Sequence, residues 1–296
     1  MKLPTTNSSK VKGYAAGILA AIFYGTNPLG SLPLYADNIN SATILFYRYG
    51  LAVAMFAIWM LAKGETFKIK RGHAIRFIVL GGFFALSSTF LYVSFLYMDA
   101  GVASTILFSY PIMVAVLMTA VFHEHITWTT VTSILLACVG IGLLHHGDGD
   151  VNLSTLGLMF VLLSSLLYAI YIIAVRQWKS PYDSVKFTFW ICAGGLLTIL
   201  GFSVLAHEPI VLLHTAKQWA CAVQLALLPT VLSLFFMTVA IKNVGATPSA
   251  IMGALEPVTA VVISVLLFGE AFTIRLAIGI VLILSGVILI VLRKKQ

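Results

Sequence analysis

The chain is 296 residues long, 60% hydrophobic and only 9% charged, with a mean hydropathy of +1.02. That leaves too little polar surface to cover a water-soluble globule of this length, so the chain belongs in lipid. The formal net charge of +8 reflects membrane topology and contact with anionic headgroups, and gives no reason to invoke nucleic acid.

Crossing the hydrocarbon as a helix takes roughly 20 apolar residues. Ten such segments follow in order at about 13–34, 41–62, 73–97, 100–122, 127–145, 154–175, 184–206, 218–241, 246–268 and 273–292. The expected fold is an all-α integral membrane protein of ten transmembrane helices, with loops too short to hold a soluble domain. No cleavable signal is evident, because the first apolar run is span-length and lacks an Ala-x-Ala-like end. Cys138, Cys192 and Cys221 fall inside spans, where they read as small apolar fillers.

In span 1, Tyr24, Asn27 and Ser31 recur at i, i+3 and i+7 on one face. Span 2 carries Arg48 about seven residues in, and a helix-end arginine that snorkels or pairs with backbone carbonyls is favoured over a contact for a substrate carboxylate. Span 3 offers Ser88, Tyr92 and Phe95 on one face with Thr89 beside them, and span 4 holds Tyr110-Pro111. Span 6 presents Ser164, Tyr168 and Tyr171, span 8 presents Thr230, Ser233 and Phe236 after Pro229, and span 9 contains Glu256-Pro257. Hydroxyls framed by rings suit an amphipathic small molecule. The same hydroxyls also serve as ordinary helix-packing contacts in membranes.

The chain repeats itself. Gly13 and Gly157, Tyr24 and Tyr168, Gly50 and Gly194, and Gly101 and Gly245 are in phase at 144 positions, and Pro111 and Pro257, Glu124 and Glu270, and Gly140 and Gly286 at 146. The halves are 1–146 and 147–296, each of five spans. An odd number of spans makes the second half enter from the opposite face, so the repeats are inverted, as in carriers that open a central site alternately to either side. With the N-terminus inside, fifteen Lys and Arg residues are cytoplasmic and only Lys217 and Arg275 lie outside. Both termini are therefore expected in the cytoplasm.

Glu256 is ten residues from one end of its span and twelve from the other. An acid at that depth costs roughly 2.5 to 3.5 kcal/mol on insertion and faces a cavity or a partner. Pro257 removes the donor that the carbonyl of Gly253 would use. Glu256 reads either as a proton carrier or contact for a substrate amine, or as a protonated lock on the fold. The absence of mid-span Lys or Arg disfavours phosphorylated or nucleotide-sugar cargo. His123-Glu124-His125, on a short loop, and His145, His146, Asp148 and Asp150 read as solvated turns rather than metal sites. Gly13-x-x-x-Gly17 and the Gly279 to Gly286 spacing permit close helix contact, within the bundle or in a homo-oligomer. No enzyme active site assembles, and no cofactor or metal is called for.

Phe268-Gly269-Glu270-Ala271-Phe272-Thr273, then Gly279 and Leu284-Ser285-Gly286-Val287, resemble the end of an EamA-type repeat of the drug/metabolite transporter superfamily. Glu256-Pro257, His123-Glu124-His125 with Val139-Gly140, and Leu19 to Pro28 at the first span are similar to other parts of that pattern. The resemblance implies a ten-helix inner-membrane carrier, often an exporter, with a cavity formed by spans 1, 3, 4, 6, 8 and 9. It also implies that Glu-Pro recurs among members with different cargo. In the first half the acid is replaced by Tyr110, a departure that leaves the acid on one side of the pair. The expected function is secondary transport, foremost export, of small metabolites, above all amino acids or related amphipathic compounds, with proton coupling through Glu256, facilitated diffusion and exchange left open. Sugars and drug-like cations come behind. The expected substrate-binding residues are Tyr24, Asn27, Ser88, Tyr92, Tyr110, Ser164, Tyr168, Tyr171, Ser233 and Glu256.

Overall fold

A computed structural model describes residues 7–98, 103, 106–123, 125–144, 154–178, 180–268 and 273–292, and no strand occurs among them. Gly101, Glu124, Glu270, Lys179, the loop with His145, His146, Asp148 and Asp150, and the boundary between the expected halves lie outside the described residues. The helices are α1 (Asn7–Tyr24), α2 (Asn27–Ala36), α3 (Ser41–Ala62), α4 (Arg71–Ser94), α5 (Tyr110–Phe122), α6 (Trp128–Leu144) and α7 (Thr155–Gln177). They continue with α8 (Ser184–Leu205), α9 (Ala216–Ala226), a π-helical segment (Leu227–Leu232), α10 (Ser233–Val244), α11 (Ala246–Met252), α12 (Leu255–Phe268) and α13 (Ile274–Leu292).

Five of these runs are long and apolar enough to cross a membrane: α3, α4, α7, α8 and the continuous stretch Ala216–Val244. Shorter apolar helices cover Tyr110–Phe122, Trp128–Leu143 and Ala277–Leu289. The long helices start where short polar side chains satisfy free backbone N–H groups. Asn40 accepts from the Thr43 amide at 2.8 Å, Asp183 from that of Val185 at 2.9 Å, and Thr215 with Gln218 forms a reciprocal capping box at α9. Large apolar side chains such as Leu61, Val204, Leu266 and Val281 cover the outside, while Thr43, Arg48, Thr89, Ser164 and Thr230 are fully buried. A polar interior under an apolar exterior is the arrangement that lipid as solvent selects.

Among the described residues three expected spans, 1, 4 and 9, are interrupted, span 4 by the turn Phe108-Ser109 before Tyr110. Span 1 divides into α1 and α2 at Gly25-Thr26, where Pro28 suits the first turn of a helix restarted at Asn27, while Pro33 lies inside α2. Its counterpart α7 has Ala169 and Ile172 at the matching positions and runs unbroken. Span 9 divides into α11 and α12 at Gly253-Ala254, which places Pro257 in the first turn of α12, where its missing N–H is not needed. The carbonyl of Gly253 is not orphaned as the sequence suggested, since the Glu256 amide donates to it at 2.9 Å. Breaking the helix, rather than kinking it, is what supplies that donor.

The bundle is assembled from a few long contacts. α1 runs along α10, α4 along α7 and α8, α3 along α8, and α6 along α13. In the last pair a methyl group on Gly140 would fall 2.7 Å from the carbonyl oxygen of Gly279, and one on Gly286 would fall 2.7 Å from that of Ser133. Both glycines therefore set how closely these helices approach.

Candidate functional site

The irregular backbone of three spans meets at one place. A methyl group on Gly25 would lie 2.5 Å from the carbonyl oxygen of Glu256 and 2.7 Å from Cβ of Thr259, so the break in span 1 is seated on the start of α12. Gln224, one turn before the π-helical segment, donates from Nε2 to the carbonyl and to Oγ1 of Thr26, both at 3.1 Å, and so occupies acceptors that the break leaves open. The π turn around Pro229 is closed by Thr230, whose hydroxyl donates to the Leu225 carbonyl at 2.8 Å. Irregular backbone at membrane depth persists where it lines a protein interior or cavity, and π segments recur at functional sites.

Arg48 lies inside this junction, which rules out snorkelling to the membrane surface and leaves the other half of the sequence reading, pairing with a backbone carbonyl. It is 0% exposed. Its Nε donates to Thr230 Oγ1 at 2.7 Å, Nη1 to Tyr92 Oη at 3.4 Å and Nη2 to the Pro229 carbonyl at 3.4 Å. The guanidinium carbon stands 5.6 Å from the centre of the Tyr24 ring, a cation–π arrangement. Tyr92 in turn donates to Asn27 Oδ1 at 2.8 Å. The charge is thus held by α3, the π segment, α4 and the restart of span 1 together.

Glu256 meets the same break in span 1 through its backbone, at Gly25. Its residue is 8% exposed, and Oε1 is buried without a hydrogen-bond partner. Its position in the first turn of α12 puts it at the positive end of that helix dipole. Its backbone packs against Gly25, next to Tyr24, and Tyr110, whose ring meets that of Tyr168, reaches Gly253 three residues before it. The Tyr110 hydroxyl, also buried and without a partner, abuts Gly253, where a methyl group would collide with it. The rings continue as a cluster, with Tyr110 at 4.8 Å from Tyr168, Phe84 at 5.1 Å from Tyr171, and Tyr168 stacked at 6.1 Å on Tyr171. Among the described residues neither Arg48 nor Glu256 has an ion-pair partner.

Most of the expected residues gather here. Tyr24, Tyr92 and Asn27 gather around Arg48, Tyr110, Tyr168 and Tyr171 form an aromatic cluster, Glu256 is buried in the first turn of α12, and Ser233 is buried at the end of the π segment. Ser88 and Ser164 are engaged between helices instead. Ser88 Oγ is 3.1 Å from Tyr49 Oη, and the Ser164 hydroxyl donates to the Ser87 carbonyl at 2.7 Å while the Ser87 hydroxyl donates to the Ser164 carbonyl at 2.9 Å. The residues missed by stripe reading are Arg48, Gln224 and Phe84. The proline within span 8 was the available signal, because it marks where a neighbouring helix could find free carbonyls.

Comparison with known proteins gives a family. A solved crystal structure superposes with a TM-score of 0.81 over 96% of this chain and 98% of its own, at 17% identity, which is a likeness of fold. YdfC of Bacillus subtilis (strain 168), named an uncharacterized transporter, is 27% identical over 241 residues, 81% of this chain and 78% of YdfC. An uncharacterized transporter of Archaeoglobus fulgidus is 22% identical over 285 residues, 94% of this chain and 95% of that protein. GDP-fucose transporter 1 of Dictyostelium discoideum is 26% identical over 163 residues, 51% of this chain and 43% of its own length. The EamA-like transporter family pattern matches residues 11–145 and again 155–292, so this multi-pass membrane protein belongs to the EamA-like transporter family.

Proposed function

We propose that the protein is a secondary transporter exporting small metabolites, foremost amino acids or related amphipathic compounds, by alternating access between two inverted five-helix repeats. The observation that carries this reading is the central junction, where interrupted spans surround a buried acid and a buried base with aromatic walls. Broken helices around a central site are the usual construction of such carriers.

The inversion is supported by reciprocal contacts. Under the 146-residue offset the contact of Gly140 with Gly279 maps onto that of Gly286 with Ser133, so each half offers the same two positions to the other. Contacts that exchange in this way along two helices run antiparallel about a pseudo-twofold axis. The pairing of α1 with α10 and of α7 with α4 repeats the exchange between the first and third spans of opposite halves. Ten spans, halves at 1–146 and 147–296, and both termini in the cytoplasm complete this reading.

Substrate class follows from the donors present. Arg48 removes the objection that no cation lies within the spans, yet three of its N–H groups are already directed at protein acceptors. One partly engaged arginine is poor recognition for a pyrophosphate, which favours several cationic partners. Sugars or drug-like cations remain the alternative cargo of the same site, and Glu256 is the group available for proton coupling. Ligand-induced thermal stabilisation over a panel of amino acids, sugars and organic cations tests the class. A ligand at about one hundred times its Kd adds about 2.7 kcal/mol to stability. Stabilisation by sugars or cations alone would overturn the amino-acid assignment.

A further inference from the structure

A buried arginine and a buried glutamate, not paired with each other among the described residues, lie in the same part of the bundle and leave hydrogen-bonding capacity unused. An arginine with a buried carboxylate nearby would ordinarily collapse onto it, because an unpaired charge in the interior is costly. Here Tyr24 and Gly25 join the two neighbourhoods. The Tyr24 ring lies against the Arg48 guanidinium at 5.6 Å, and the adjacent Gly25 is seated against the backbone of Glu256. Arg48 directs three of its N–H groups at Thr230, Tyr92 and Pro229, which leaves one on each terminal nitrogen, the pair that a carboxylate engages through both oxygens. Glu256 Oε1 accepts from no protein group. The rings of Tyr110 and Tyr168 beside it are surfaces on which an ammonium group is stabilised.

We infer that Arg48 and Glu256 are the two poles of a single binding site, Arg48 receiving the carboxylate and Glu256 the ammonium group of a zwitterionic amino acid. The substrate's side chain then lies among Tyr110, Tyr168 and Tyr171. This inference rests on the carrier reading and deepens it. A sugar would leave both charges unsatisfied, a simple organic cation would leave Arg48 so, and a simple organic anion would leave Glu256 so. The zwitterion alone offers each pole a partner, so selectivity is expected to arise as much from the penalty on the wrong ligands as from attraction of the right one.

The test is equilibrium binding to the full-length protein in lipid nanodiscs. The probes are alanine, leucine and phenylalanine, each also as its amide, which lacks the carboxylate, and as its N-acetyl derivative, which lacks the ammonium group. At least one free amino acid should bind about tenfold or more tightly than both of its derivatives. In Arg48→Gln the preference over the amide should disappear while the preference over the N-acetyl form survives, and in Glu256→Gln the reverse should hold. A role in packing alone would weaken all three forms together. Because Arg48 also ties down the π segment, Arg48→Gln can fail to fold. Arg48→Lys then serves, with the preference over the amide reduced and the preference over the N-acetyl form kept, and the ligand series on the unsubstituted protein decides in any case. Equal affinity for the three forms overturns the two-pole site. So does counterflow of a sugar or an alkylammonium compound with no binding of any free amino acid, an outcome that leaves the carrier itself standing. Absence of counterflow for all of these would instead remove the carrier reading.

Discussion

Glu256 can act as a proton carrier only if its titration, and not merely its shape, is used. Glu256→Gln keeps the shape and the hydrogen-bonding capacity, so pH-driven accumulation should fail while exchange at equal concentrations survives. Full pH-driven accumulation by this variant would assign Glu256 to the scaffold, and Glu256→Ala would then be expected to lower the melting temperature. The aromatic set has its own test. Alanine at Tyr24, Tyr92, Tyr168 or Tyr171 should each weaken ligand binding by about 1 to 3 kcal/mol through lost ring contact. Folded variants with unchanged affinity at all four positions would leave the rings as packing.

Residue placement was partly legible in the sequence. Tyr24, Asn27, Tyr168 and Tyr171 stand out because hydroxyls and rings repeat on one helix face, and the structure brings Tyr24 to Arg48, Asn27 to Tyr92 and Tyr168 onto Tyr171. For Arg48 the sequence offers snorkelling or pairing with backbone carbonyls, and the second is what occurs. Distance from a helix end says nothing about what the next helix offers. The π turn at Pro229 offers an open carbonyl and a hydroxyl, so the arginine has no need to reach the membrane surface. Ser164 looked like a cavity residue and is bonded to Ser87 across α4 and α7, a contact that periodicity within one helix does not encode.

Elements meet at glycines, and their substitution reports the packing. Gly253→Ala should destabilise the protein by about 1 to 3 kcal/mol, because the new methyl group overlaps the Tyr110 hydroxyl. Combining it with Tyr110→Phe should recover part of the loss, as read from melting temperatures. Additive losses in the double variant would mean that the two spans do not touch here. Gly140→Ala and Gly286→Ala should lower the melting temperature by similar amounts, since each methyl group meets a backbone carbonyl at 2.7 Å. Gly142→Ala, with open space around its Cβ position, should be neutral or slightly stabilising. The five runs long and apolar enough to cross a membrane were legible from hydropathy. The interruption at Gly25-Thr26 was not, because proline and glycine are tolerated in continuous membrane helices and only the seat on α12 shows that this one parts.

At the scale of the whole molecule the duplication was the most legible feature, since equivalent landmarks must hold equivalent positions for two halves to pair. It leaves orientation to charge. Single cysteines at Lys63 and Lys179 should react with impermeant reagents only from the cytoplasm, and one at Asp148 only from outside. Labelling of Lys179 and Asp148 from the same face would contradict the inversion. One end of the bundle is strapped by the segment after α8. Glu208 accepts from the Ala42 amide at 3.0 Å and Asn40 donates to the Pro209 carbonyl at 2.8 Å, so Glu208→Ala should increase labelling of a cysteine introduced at Ser233 from that side.

Carrier function itself is decided most directly by counterflow in proteoliposomes. Vesicles preloaded with an unlabelled amino-acid mixture and diluted into labelled tracer should show a transient, saturable overshoot of tracer uptake that disappears when the internal pool is omitted. Uptake that is linear in tracer concentration and indifferent to the internal pool would contradict alternating access and indicate a pore.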